Sequence, residues 1–482
     1  MERGHLARAN HTRRPHSRQR NGEADGPPAN RGLCSAVLYQ VAMAILPMER
    51  DDSGFGETSR YAAHLDRGWT HLDRADFNAA RQSARHAQKI RPNAAEAPIL
   101  LGAVALAEGD PEESLRWYEA AIEIDPEYFE PFLAAAQVAL FDLGDAARAL
   151  QLCDEALDLT GISAFDTIDL NLLGIEGQLN LGLLDAARER LTALRDHPLI
   201  KAGTQTSLAE LGKGDPDGEY AHIFSELVED EDGEPLDDAE RLAQQARLVH
   251  LCLRYTRLWL DLPNADEALP LLRALVERHP NNGDAWHLLS EAEFQQDDVR
   301  AACHAALRVY RLDAQVQLPK WLPNPAQIHR KVVQILSECP DGALRELGQR
   351  RIALVVLVHE MPSMELILEG VDPRIAALTT ASRGADEGDP PVLTGVAIYR
   401  RNIYRVARSP EVFDQELRFA LLEELAAFLQ LDDERRIALG LHPLGQEDVL
   451  EEPEVELAGA EAEHVVEEPK PSRRRRRKRM HS

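Results

Sequence analysis

From Tyr61 onward the sequence repeats itself every thirty-four residues: Gly68 returns as Gly102, and Pro92 returns as Pro126. Between these landmarks Ala80, Ala84 and Ala87 stand in register with Ser114, Tyr118 and Ala121. A self-similar unit of this length is one supersecondary element. It cannot bury its own apolar face, so it must stack on its neighbours. Small side chains at i, i+4 and i+7 share a helical face and let two antiparallel helices approach closely. A Pro closes the second helix because it offers no N–H. Each unit therefore reads as two helices and a tight turn, and the turns keep polar punctuation: Arg74-Ala75-Asp76, Glu108-Gly109-Asp110, Leu143-Gly144-Asp145 and Leu184-Asp185.

A third unit, with one residue inserted, is carried by Ala135-Ala136, Gly144, Ala149 and Ala156, and a fourth by Leu173-Gly174 and Ala186-Ala187. On these residues the stretch 60–196 resembles the tetratricopeptide repeat. The stretch 197–240 holds Gly212 to Gly218 (GKGDPDG) and the acidic run Glu229 to Asp238, and reads as an irregular insertion that interrupts the array. Helical period resumes over Arg241 to Leu260. Ala268, Leu272, Leu275 and Pro280 then occupy the same offsets, continued by Trp286, Leu289 and Ala302, so 241–318 reads as further helical repeats.

The resemblance implies that the first helix of each unit lines a concave surface. The segments Ala94 to Leu115, Glu127 to Ala147 and Gly161 to Ala187 contain no Lys and no Arg, so this groove is expected to be acidic and apolar. Relatives that grip a C-terminal carboxylate use basic residues there, and that mode is not supported. A protein or peptide segment that is basic or apolar suits the groove better.

The chain has 482 residues, more than one core of about 250–300 residues can organise, so two or more domains are expected. Aromatics make up only 5%, which fits close-packed helices and a mainly α class. Net charge is −28, which argues against a nucleic-acid-binding body, because phosphate contacts need clustered cations. Cys34, Cys153, Cys252, Cys303 and Cys339 are odd in number and far apart, as reduced thiols in a cytoplasm would be.

Residues 1–55 read as a disordered leader, or as translation assigned upstream of a start at Met43 or Met48. Their apolar run, Cys34 to Pro47, is shorter than the ~20 residues of a membrane span. Residues 446–482 read as a disordered tail, acidic and then basic at Arg473 to Arg479 (RRRRRKR). That basic cluster is a candidate for self-interaction with the acidic groove or for contact with RNA.

After Lys320-Trp321-Leu322-Pro323-Asn324-Pro325 the pattern changes. Ile328 to Leu336 reads as a helix, Arg351 to Val358 as a buried strand and Met364 to Glu369 as a helix. A loop follows over Arg383 to Pro391, then a second strand, Gly395 to Arg401, and a long helix, Glu411 to Gln430. Phe419 to Arg436 carries Leu421, Leu422, Leu425, Phe428 and Leu429 at helical spacing, as an amphipathic helix on a core would. This order resembles the small zincin-like metallopeptidase domain over 326–442. The likeness rests on His359-Glu360-Met361-Pro362, on Ile398 to Ile403 and on Leu431-Asp432-Asp433-Glu434-Arg435. The architecture expected is a tetratricopeptide-type solenoid followed by a small α+β domain.

Active members of that family carry H-E-x-x-H-x-x-G-x-x-D on the long helix. Two His one turn apart and the Asp bind Zn²⁺, and the Glu is general base to the metal-bound water. The resemblance places Glu423 at the first His, Glu424 at the base, Ala427 at the second His, Gln430 at the Gly and Asp433 at the Asp. Glu424 is then a relic of the catalytic base, and Glu423 and Asp433 are relics of the metal site. Perturbing a second-shell partner alone costs about 10–100-fold, so losing both imidazoles implies no zinc and no other cofactor. The plainer reading makes Glu423 and Glu424 the solvated face of a core helix.

His359-Glu360 is no substitute motif, because Ser363 stands where a second His is needed and Pro362 would break the helix. No nucleophile elbow, P-loop or dinucleotide fingerprint occurs. The favoured expectation is a protein-interaction scaffold with a non-catalytic zincin-like domain. One alternative is a peptidase with non-standard ligands such as His329, His359 or His442. Another is an RNA- or ribosome-associated factor acting through Arg473–Arg479.

Overall fold

The computed structural model describes residues 55–204, 236–263, 265–349, 354–382 and 391–442. Four helix pairs open it: α1 (Phe55–Asp73) with α2 (Phe77–Ile90), α3 (Glu96–Glu108) with α4 (Pro111–Ile124), α5 (Glu130–Gln137) with α6 (Ala146–Leu157), and α7 (Ala164–Asn180) with α8 (Leu184–Leu194). Each turn within a pair holds a residue of positive φ: Ala75, Gly109, Gly144 and Gly182. In the first three an Asp follows. The side chains of Asp76, Asp110 and Asp145 accept from the backbone N–H of Ala79, Glu113 and Arg148, satisfying one of the donors a helix start leaves open. The small-residue rule also has a visible cause: a Cβ on Gly102 would lie 2.8 Å from the Tyr118 ring. The extra residue of the third unit is absorbed by a π turn, Val138–Asp142, at the end of α5.

The expectation that 197–240 interrupts the array needs correction. Helix α9 (Pro198–Thr204) packs on α10 (Asp238–Leu260), and α10 packs directly on α7 and α8. One core joins Ile168, Leu172 and Leu191 on one side of the insertion to Leu251, Tyr255 and Trp259 on the other. The Tyr255 hydroxyl donates to the Leu191 carbonyl at 2.9 Å, across that junction. The stack therefore passes the insertion without a break, because α10 supplies the apolar face that α7 and α8 must bury. The Gly212–Gly218 stretch lies outside the described residues.

The array continues with α11 (Ala268–Arg278), α12 (Gly283–Gln295) and α13 (Val299–Gln315). Asp297 takes the positive φ and Asp298 caps α13. The four described cysteines are free thiols, and burial pushes Cys153 and Cys252 up to about 12. Among the described residues no helix is long and apolar enough to cross a membrane.

The C-terminal domain runs α14 (Pro325–Ser337), α15 (Gly342–Gln349), β1 (Val355–His359), α16 (Met364–Leu368), β2 (Ala377–Ser382), β3 (Val392–Tyr399), α17 (Arg400–Ala407), α18 (Pro410–Phe428) and α19 (Asp433–Ala438). The sheet order is β1-β3-β2, with β1 parallel and β2 antiparallel to the central β3. Ile328 and Val332 of α14, Val396 and Ile398 of β3, and Phe413, Leu417 and Leu421 of α18 meet in one core.

Three expectations change. Strand β2 was absent from the sequence reading, because Ala-Leu-Thr-Thr-Ala-Ser shows no run of large apolar residues. The second expected strand ends at Tyr399, and Arg400-Arg401 open α17 instead. Phe419 to Arg436 is not one helix: α18 stops at Phe428, Gln430 turns the chain at a φ of 51°, and α19 starts afresh at Asp433.

The repeats dock onto this domain through α12 and α13. Arg374, only 6% exposed, donates from Nε to Asp313 Oδ2 at 2.8 Å and from Nη1 to Asp284 Oδ1 at 2.6 Å. Arg401 donates to the carbonyls of Asp313 and Val316 at the end of α13, and His287 Nε2 lies 3.0 Å from Asp372 Oδ1. Burial works to raise the Asp284 and Asp372 carboxyls. The Arg374 charge overrides it at Asp284, the His287 hydrogen bond overrides it at Asp372, and both are held below the usual carboxylate range.

Candidate functional site

Helix α18 presents Glu423 and Glu424 in its last two turns, and neither is solvated as the plainer reading supposed. Glu424 is 6% exposed, and its Oε1 accepts from the Thr379 N–H at 2.9 Å and from the Thr379 hydroxyl at 3.0 Å. Strand β2 thus has an outward-facing N–H closed by a helix carboxylate. Glu423 faces α19, where Arg436 Nη2 donates to both its oxygens at 2.7 and 2.9 Å. Arg436 is 2% exposed, and its Nε donates to the His442 carbonyl at 2.8 Å. The guanidinium is held by a carboxylate and a carbonyl through Nε and Nη2, while its buried Nη1 has no hydrogen-bond partner among the described residues, and it links α18, α19 and the segment up to His442.

The other relic positions behave differently. Gln430 adopts the left-handed conformation for which the family pattern reserves Gly, as expected if the alignment through Leu431-Asp432-Asp433 is right. Asp433 is exposed at the first position of α19, while Asp432 caps that helix through the Arg435 N–H. Ala427 offers no donor atom. A Zn²⁺ ion on Glu423 would sit against the Arg436 guanidinium, and like charges at such range repel. The residues present do not fit zinc. The alternative set is not assembled either: among the described residues no group of three or more His, Cys, Asp or Glu is placed to hold a metal ion. His359 stacks on Tyr399 at the end of β1, with ring centroids 6.3 Å apart. Thr379 and Arg436 were missed by sequence reasoning. The signal for Arg436 was an arginine set among apolar residues, Ile437, Leu439 and Leu441, directly after the motif.

A second candidate surface is the groove of the repeats. Helices α3, α5 and α7 carry no Lys or Arg, but α10 brings cations against α7. Arg254 Nη1 pairs with Asp169 at 2.6 Å and its Nη2 with Glu176 at 3.4 Å. Arg247 pairs with Asp166 at 3.2 Å and lies 4.2 Å over the Phe165 ring. Toward the other end the Tyr61 hydroxyl donates to Glu96 at 2.8 Å. Glu130 makes no ion pair among the described residues. Burial raises its carboxyl, and Asp166 adds to the rise. Burial likewise raises the Tyr128 hydroxyl, followed by Glu130, Glu96 and Asp125.

Residues 65–129 and 257–316 match the family model of the tetratricopeptide repeat, and residues 353–441 match that of the zincin-like metallopeptidase. No curated protein matches the chain. Among solved structures, one from a functional characterisation of Pseudomonas aeruginosa PilF is 16% identical. The likeness covers 54% of this chain and 95% of that one, at a TM-score of 0.33. Yeast Tom70 is 12% identical over 80% of this chain and 83% of its own, at a TM-score of 0.25. Likeness at these scores carries no argument about function.

Proposed function

We propose that this chain, which carries tetratricopeptide repeats followed by a zincin-like metallopeptidase domain, works as a protein-interaction scaffold whose C-terminal domain performs no zinc chemistry. The observation that supports this reading is the Glu423–Arg436 pair: the residue at the first imidazole position of the resemblance is a carboxylate already bonded to a buried guanidinium. Glu424, the residue in the place of the general base, accepts two hydrogen bonds from Thr379. The repeats suit a segment of basic or apolar character, because α3, α5 and α7 carry carboxylates and apolar side chains and no Lys or Arg. Free, largely buried thiols suit a reducing cytoplasm.

A peptidase assay on the full chain tests the reading. With zinc supplied, hydrolysis of unstructured protein substrates should stay at background and be indifferent to a zinc chelator and to Glu424→Gln. Chelator-sensitive turnover that Glu424→Gln abolishes would reject it.

A further inference from the structure

Strand β1 is an edge of the sheet: it pairs with β3 on one side and has no strand on its outer side among the described residues. Alternate residues of a strand turn their N–H and C=O groups to opposite sides, so about half of these groups on β1 face away from β3. Edges are commonly blunted by charge, proline or a bulge. The other edge, β2, is blunted: Glu424 closes the Thr379 N–H, and the register slips between Thr380 and Ala381. From Val355 to Val358, β1 carries no such device. It runs in unbroken register as Val-Val-Leu-Val-His, with Val355 and Leu357 56% and 43% exposed. Between β1, α14 and α15 lies a cleft of about 400 Å³. Val333, Leu347, Leu354 and Val356 line it together with His329 and Arg330, and no carboxylate is among the described residues that do so. Arg330 is exposed and makes no hydrogen bond or ion pair among the described residues.

We infer that β1 and this cleft bind an extended, acidic and aliphatic segment of a partner protein. The segment joins the sheet as a further strand beside β1, lays aliphatic side chains against Val333 and Val356, and sets a carboxylate on Arg330. Three features select that chemistry. Free main-chain groups on an edge pair with an extended backbone. The aliphatic lining takes aliphatic side chains, and alternation along the added strand brings every second one to the cleft and the others beside Val355 and Leu357. The unpaired guanidinium takes a carboxylate through charge-assisted hydrogen bonds. This site lies on the edge of the sheet opposite β2 and the Thr379–Glu424 bond, and it is separate from the repeats. It gives the C-terminal domain a binding role of its own, whether or not that domain holds zinc.

The test titrates the full chain with a fluorescent peptide of about eight residues, in which valine and threonine alternate and two glutamates follow. The peptide should bind one to one and slow hydrogen exchange across Val355 to His359. Two further versions, N-methylated at alternate amides, keep the side chains and differ in which donors they lose. The version whose lost donors face β1 should not bind, and the other should. Arg330→Glu should weaken binding about tenfold, and exchanging the peptide's glutamates for lysines should restore it. Val333→Lys should obstruct the cleft and also cost about tenfold. Both positions are exposed on α14, and circular dichroism checks that each variant folds.

Failure of the unmethylated peptide to bind would overturn the inference, as would equal affinity for the two methylated versions or exchange protection confined to β2 or to the repeats. Indifference to Arg330→Glu would overturn the choice of an acidic segment. A dimer of the full chain that the peptide dissociates would assign the edge to a second copy of this chain and overturn the partner. The peptidase assay reads α18 and the titration reads β1, so a failure of one is distinguishable from a failure of the other.

Discussion

Glu424 is where a structural and a catalytic role make opposite demands on one side chain. As a bond to Thr379, its carboxylate needs only an acceptor oxygen, which glutamine also has. As a general base it needs a proton-accepting charge, which glutamine lacks. Glu424→Gln should therefore change the urea midpoint little, while Glu424→Ala strands a buried N–H and a hydroxyl and costs about 1–3 kcal/mol. Equal destabilisation by the two substitutions would contradict the role. Arg436→Met should cost about 3–5 kcal/mol by removing the buried cation that binds both Glu423 oxygens and the His442 carbonyl. Replacing both partners by apolar residues should recover most of that loss. At this scale the sequence placed Ala427, which cannot coordinate, at a ligand position of the pattern it resembles. It did not show what Glu424 bonds to, because Thr379 lies forty-five positions away on a strand that its own residues did not announce.

The repeats were legible because their signals are local: glycines where helices touch, a left-handed turn, then an aspartate cap. Asp110→Ala removes one such cap and should lower the stability of its helix pair by about 1 kcal/mol. Hydrogen exchange should show the loss at α4 before it shows at α12. An even loss across the chain would mean that the array unfolds as one unit. Two elements were misjudged for the opposite reason. Strand β2 exists because β3 and the Glu424 carboxylate complete its hydrogen bonds, and its small and hydroxyl side chains carry little strand preference of their own. The continuity of α10 with α7 and α8 depends on contacts that span the insertion, which no window of sequence contains.

The whole molecule joins a helical array to a small α+β domain through ion pairs centred on Arg374, which is buried while its partner Asp284 remains exposed. Asp284 and Asp372 have depressed carboxyl pKa values in the fold, so their contribution to docking is complete above the unfolded value of about 4 and is lost as pH falls through the folded values. Small-angle scattering should show the two parts separating below about pH 4. Arg374→Met should bring that separation up toward neutral pH, since it leaves Asp313 and Asp284 without their shared cation. A scattering profile unchanged in Arg374→Met would mean that the docking rests elsewhere. The central claim concerns the domain so docked: it matches the zincin-like metallopeptidase model, and we propose that the Glu423–Arg436 pair leaves it without zinc. The most direct test is the zinc content of the full chain after equilibration with zinc and extensive dialysis. The account predicts well under one tenth of an ion per chain, with no change in Arg436→Met, whereas one tightly held ion per chain would contradict it.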